Sequence, residues 1–165
     1  MQISLSPLKT LYQLVGYTYF RTVAESVKPT ADLIMRAQTT LHVLGGDLSA
    51  DLWGQQMMKD ALTQVTNRPR PPKIEIVFGP RDQADPHVLA FLKSLASEGK
   101  LKLYATNPTS QGHFIVADGL NVKIEDPHAP KDPKISGYTT RGDRRLARAL
   151  EARFSRVKES ATLES

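Results

Sequence analysis

The chain is predicted to fold as one α/β domain with a mixed, mostly parallel sheet flanked by helices on both faces. Three observations carry that prediction. Short apolar runs at 41–44, 74–78 and 101–105 alternate with longer stretches whose hydrophobic residues recur every three or four positions. Strands alternating with helices imply parallel pairing and a sheet covered on both sides. An Asp-Gly pair at 118–119, set between two further apolar runs, then marks a hairpin.

The first stretch, 6–27, places Leu8, Leu11, Tyr12, Val15, Tyr19 and Val23 at helical spacing behind a Ser6-Pro7 start. Leu11, Leu14, Val15, Tyr19 and Phe20 offer more apolar surface than one core face requires. Residues 1–28 are therefore expected to be a helix that contacts a partner subunit, although an internal role explains the same residues. Pro29 ends or kinks that helix, and Thr30 can cap a short one over 31–38. A strand over 39–44 closes at Gly45-Gly46, and Ser49 opens a helix that runs toward Pro69. Ile74–Phe78 reads as a buried strand stopped by Gly79-Pro80. Asp85-Pro86 starts a helix with Val88, Leu89, Leu92 and Leu95 on its face and Gly99 at its end. Leu101, Leu103 and Ala105 alternate as a strand, and 114–117 pairs with 122–124 across Asp118-Gly119. Residues 126–140, rich in proline and glycine, read as a loop, 141–158 as the last helix and 159–165 as a flexible tail.

The 165 residues are 40% hydrophobic and 24% charged, enough for a single core without staples. The absence of cysteine excludes disulfides, thiolate metal sites and a cysteine nucleophile. No apolar run spans a membrane, and the N-terminus lacks a basic segment followed by an apolar one, so a cytoplasmic location is expected. The net charge of +5 permits a polyanionic partner. It is concentrated: Arg141, Arg144, Arg145, Arg148, Arg153, Arg156 and Lys158 crowd the last helix. Leu146, Leu150, Phe154 and Val157 form one apolar stripe along it, which turns Arg141, Arg144, Arg145 and Arg148 toward solvent as polyanion-binding candidates. The bland account of the same arginines is a solvated cationic face.

Three segments resemble one repeat of the phospholipase D superfamily. Ala31–Leu44 is similar to that family's opening helix and strand, Leu95–Tyr104 with Glu98-Gly99-Lys100 to the helix, glycine and strand before its catalytic motif, and Leu150–Val157 to its closing helix. The resemblance covers 19–158 and implies a domain over 29–158. The family's signature is His-x-Lys-x-x-x-x-Asp-Gly, followed by Gly-Ser-x-Asn after the return strand. Its histidine attacks phosphorus, while lysine and asparagine hold the phosphate oxygens. With Asp118-Gly119 as anchor, Gln111 stands at the histidine position and His113 at the lysine position. Glu125, Asp126 and His128 then stand where Gly, Ser and Asn belong. In the alternative register His113 is the nucleophile, with Ile115 for the lysine and Leu120 for the aspartate.

The resemblance thus implies a pseudoenzyme: a non-catalytic module that binds a phosphate-rich polyanion, nucleic acid foremost and an anionic membrane surface less so. Because active single-repeat members dimerise, it also implies a homodimer or a subunit of a larger complex. No cofactor and no metal are expected. The alternatives are a divergent phosphodiesterase or nuclease using His113, Asp118 and His128, and a purely structural subunit whose only partner is protein. His113, Asp118, Glu125, Asp126 and His128 are also suitable metal ligands in type, against the plainer reading of surface polar residues. His42, inside an apolar strand, is expected to be a satisfied core histidine.

Overall fold

A computed structural model describes residues 16–107, 112–126 and 135–164. In chain order it contains β1 (Tyr17–Phe20), α1 (Val23–Arg36), β2 (Thr40–Leu44), α2 (Ala50–Trp53), α3 (Gln56–Thr66) and β3 (Lys73–Phe78). These are followed by α4 (Pro86–Ser97), β4 (Lys102–Ala105), β5 (Phe114–Ala117), β6 (Asn121–Glu125), β7 (Gly137–Thr140), α5 (Arg144–Glu159) and β8 (Thr162–Glu164). The strands form one sheet in the order β1-β7-β6-β5-β2-β3-β4-β8.

The α/β class, the mixed sheet and the helices on both faces are as expected. The balance of pairing is not. Only β2–β3 and β3–β4 are parallel, and every other neighbouring pair is antiparallel. Helical crossovers fix parallel pairing only for the three strands that α2–α3 and α4 connect. The additional strands β1, β7 and β8, read from sequence as helix, loop and tail, all join antiparallel.

Tyr17–Phe20 corrects the expected long first helix: β-favouring aromatic residues pair with β7, Phe20 opposite Gly137. The helix starts later, where Thr22 Oγ1 accepts from the Glu25 N–H and the Glu25 carboxylate accepts from the Arg21 N–H. Pro29 lies inside α1 rather than ending it. The Ser26 hydroxyl donates to the Val23 carbonyl and the Thr30 hydroxyl to that of Ser26, which occupies acceptors around the missing N–H. The 28/29 boundary therefore falls within one helix, and β1 belongs to the same sheet as the rest. Thr162–Glu164 is likewise a strand, held by Glu164 contacts to Lys93 at 2.9 Å and Arg81 at 3.3 Å.

Side chains alternate across the sheet. Leu41, Val43, Ile76, Leu103, Ile115 and Ala117 face α1–α4 in the larger core. Leu44, Val77, Phe114, Val116 and Val122 face α5, which buries Ala147, Leu150, Phe154 and Val157. Leu146, expected in that stripe, is only partly buried, with Ala147 taking its place. Asp143 caps α5 by accepting from the Leu146 N–H.

Candidate functional site at the ends of the central strands

The parallel strands β2 and β3 end at one edge of the sheet, where β2 gives way to Gly45-Gly46. Gly46 has φ 54°, and a side chain there would collide with the His113 imidazole, so the ring lies directly on backbone. Next to it the β5–β6 hairpin sets Glu125 across from His113, their backbones joined by a 2.9 Å bond from the Glu125 N–H to the His113 carbonyl. His113 Nδ1 lies 3.2 Å from Glu125 Oε2. One pair further along the hairpin, Lys123 stands opposite Ile115 and so projects from the same face as His113 and Glu125.

Lys123 is 2% exposed, its ammonium bonded to Glu125 Oε1 and 5.4 Å from the centre of the Phe20 ring. A buried ammonium requires such partners. The three side chains border a cavity of about 40 Å³ that Asp47, Ser49, Asp51 and Trp53 also line. That is room for about three waters.

A carboxylate at Nδ1 can orient a histidine as base or nucleophile through Nε2, and in this chain Nε2 lies against Gly46. The surrounding charge does not favour a phosphate ligand. Among the described residues that line the pocket, Lys123 is paired with Glu125, and Asp47 and Asp51 add negative charge that repels a phosphodiester. The arrangement differs from both registers read in the sequence. The lysine lacking after His113 is supplied by the neighbouring strand, where sequence spacing does not look for it. One signal was available: counting outward from the Asp118-Gly119 turn pairs 115 with 123 and 113 with 125.

Asp118 is at the other end of β5, about 17 Å from His113 by strand rise. It has φ 58°, and its carboxylate accepts from the backbone N–H groups of Gln38, Thr39 and Thr40 at 2.7–3.1 Å and from the Thr39 hydroxyl at 2.9 Å. Burial pushes its pKa up, but these hydrogen bonds prevail and hold it below the usual aspartate value. It ties the start of β2 to the hairpin turn. Asp126 is exposed, its carboxylate bonded to the Ser136 hydroxyl. Gln111 and His128 lie outside the described residues, as do Leu11, Leu14 and Val15. Among the described residues no three His, Cys, Asp or Glu side chains are grouped to hold a metal ion. No helix among them is long and apolar enough to cross a membrane.

Of the expected interface residues, Tyr19 is 52% exposed, whereas Phe20 is 2% exposed and packs inward over Gly137. Tyr17, Tyr19 and Tyr138 gather on the opposite face, with ring centres 5.6–6.5 Å apart.

Arg144, Arg145 and Arg148 are exposed on α5 and make no ion pair among the described residues. Arg141 precedes the helix and lines a separate cavity with Lys28 and Arg36. These groups cluster where the parallel strands begin, together with exposed Arg70, Lys73 and Lys102. The opposite end holds Asp47, Asp51, Asp82, Asp85, Glu125 and Asp126. Exposed basic side chains are thus concentrated where the parallel strands begin, while Arg81 after β3 and Arg153, 5.7 Å from the Phe114 ring, stand at the end that carries His113.

A second polar group lies under α5. His42 stacks on Phe154 with ring centres 4.8 Å apart, Glu75 3.5 Å from Nε2 and Glu151 3.6 Å from Nδ1. Burial lowers its pKa more than the two carboxylates raise it. Its Nδ1 has no hydrogen-bond partner, so it is not the satisfied core histidine expected. Burial raises the pKa of Glu75, but Lys73 and Lys158 outweigh that and hold it low.

No protein-family model matches the chain, and no curated protein matches it by sequence. Solved structures do. TrmBL2, an archaeal chromatin protein with a novel mode of DNA binding, superposes with a TM-score of 0.65 at 18% identity over 94% of this chain. The chain spans 59% of TrmBL2's length. Nuc, a phospholipase D family member from Salmonella typhimurium, gives 0.66 at 12% identity over 90% of this chain and 98% of its own. NucT from Helicobacter pylori gives 0.60 at 10% identity, covering 88% and 97%. The fold is phospholipase D-like.

Proposed function

We propose that the chain is a phospholipase D-like module that binds a phosphate-rich polyanion, nucleic acid foremost, without cleaving it, as a homodimer or a subunit of a larger assembly. One observation carries the reading: among the described residues, the buried cation beside His113 is paired with Glu125, in a small pocket bordered by two more carboxylates. Phosphoryl transfer requires uncompensated positive charge where the oxygens sit. Unpaired arginines are concentrated instead at the far end of the sheet, where backbone phosphates can meet them. The likeness in fold to a DNA-binding chromatin protein supports nucleic acid as the polyanion.

A second reading has its own support. His113, Glu125 and Lys123 project from one face of adjacent strands, which is a workable set for a divergent phosphodiesterase. The purified chain, assayed on a chromogenic phosphodiester and on single- and double-stranded DNA and RNA, with and without divalent metal, is expected to show no turnover. Turnover lost in both His113→Ala and Lys123→Met would establish the enzyme instead.

A further inference from the structure

We infer that the groove between α1 and the β1–β7–β6 end of the sheet is a binding subsite for a phosphate group, used to hold one backbone phosphate of the polyanion. The inference takes its ligand class from the polyanion reading, and its location from this groove alone.

The cavity measures about 170 Å³, against about 40 Å³ beside His113. On the scale of one water per roughly 10–15 Å³ it admits a phosphate together with part of its hydration. Its charged lining is Lys28, Asp32, Arg36 and Arg141. Lys28 Nζ lies 2.9 Å from Asp32 Oδ2, which occupies the one acid. Arg36 and Arg141 make no ion pair among the described residues, so the groove retains an excess of two positive charges. Thr18, Thr139 and Asn121 line its floor, adding hydroxyl and amide donors. Thr18 and Thr139 are direct cross-strand partners, so their side chains emerge together on the face that α1 covers.

The two guanidinium groups come from separately anchored elements. Arg36 is in the last turn of α1. Arg141 follows β7, and its backbone N–H donates to the Gly16 carbonyl at 3.1 Å. Guanidinium forks with nearby hydroxyls suit phosphate oxygens in charge and in hydrogen-bond type. Arg141 also leads within three residues to Arg144 at the start of α5.

Two readouts test this with the full chain: fluorescence anisotropy on a short labelled duplex DNA across salt concentrations, and thermal unfolding with inorganic phosphate. The variant is Arg36→Gln combined with Arg141→Gln, and the control is Arg156→Gln. The double variant is expected to lower the log–log salt slope by about 0.9 per lost contact. Phosphate should raise the wild-type midpoint more than the variant's, since general salt stabilisation is common to both. Duplex binding with an undiminished slope and an equal phosphate response would overturn the subsite and leave the polyanion reading intact. A wild type that ignores duplex but responds to phosphate through these arginines would remove the polyanion reading and keep the subsite. No response to either ligand would remove both.

Discussion

By the resemblance Asp118 is expected to hold the family's aspartate position, and its contacts are those of a backbone clamp. Three N–H groups at the start of β2 and one hydroxyl converge on its carboxylate. Asp118→Asn keeps a residue that tolerates positive φ but weakens these charge-assisted bonds, and should destabilise the chain by about 1–3 kcal/mol. The sign with pH follows from its depressed pKa. The carboxylate stabilises the fold above its unfolded pKa near 3.8 and loses that effect as pH falls through the lower folded value. The stability gap between wild type and variant, read by urea unfolding, should be full at neutral pH and close in strong acid. Lys123 and Glu125 obey a different logic. Removing one charge of a buried pair strands the other, so Lys123→Met should cost about 3–5 kcal/mol. Adding Glu125→Gln should recover part of that loss, and additive effects of the two substitutions would refute the coupling.

Helix α5 separates its two roles by face. Ala147, Leu150, Phe154 and Val157 pack on the sheet, while Arg144, Arg145 and Arg148 are exposed. Their triple replacement by alanine should weaken duplex binding for all sequences alike and flatten its salt dependence. It should not lower stability, since cations in the first turns oppose the helix dipole by roughly 0.3–1 kcal/mol each. Calorimetry beside a binding titration checks both halves. This helix was legible because its period is long and its stripe regular. So were β2, β3, α4 and the β5–β6 hairpin, each an apolar run bounded by Gly, Pro or a cap. β1, β7 and β8 were not: each has three or four residues at or near a sheet edge, too short for alternation to register. At the site, His113 could be singled out because a histidine next to a strand is visible on its own. The role of Lys123 depends on what lies opposite it, which is a property of pairing rather than of residue type.

Across the whole molecule the sheet acts as a ruler. One end carries Arg36, Arg70, Lys73, Lys102, Arg141 and Arg144, and the other carries Asp47, Asp51, Asp82, Asp85 and Glu125. Open α/β sheets conventionally offer a ligand the carboxyl ends of their parallel strands. In this chain Asp47, Asp51 and Glu125 line the pocket at that end, and the exposed arginines cluster at the opposite one. A cluster of exposed cations on one end of the chain acts at a distance as well as in contact. Near a long polyanion it exerts a torque that turns the chain before contact, so collisions made basic end first are over-represented among all encounters. On the proposed polyanion reading, the molecule docks with His113 and its small cavity pointing away from the polymer, open to a third component.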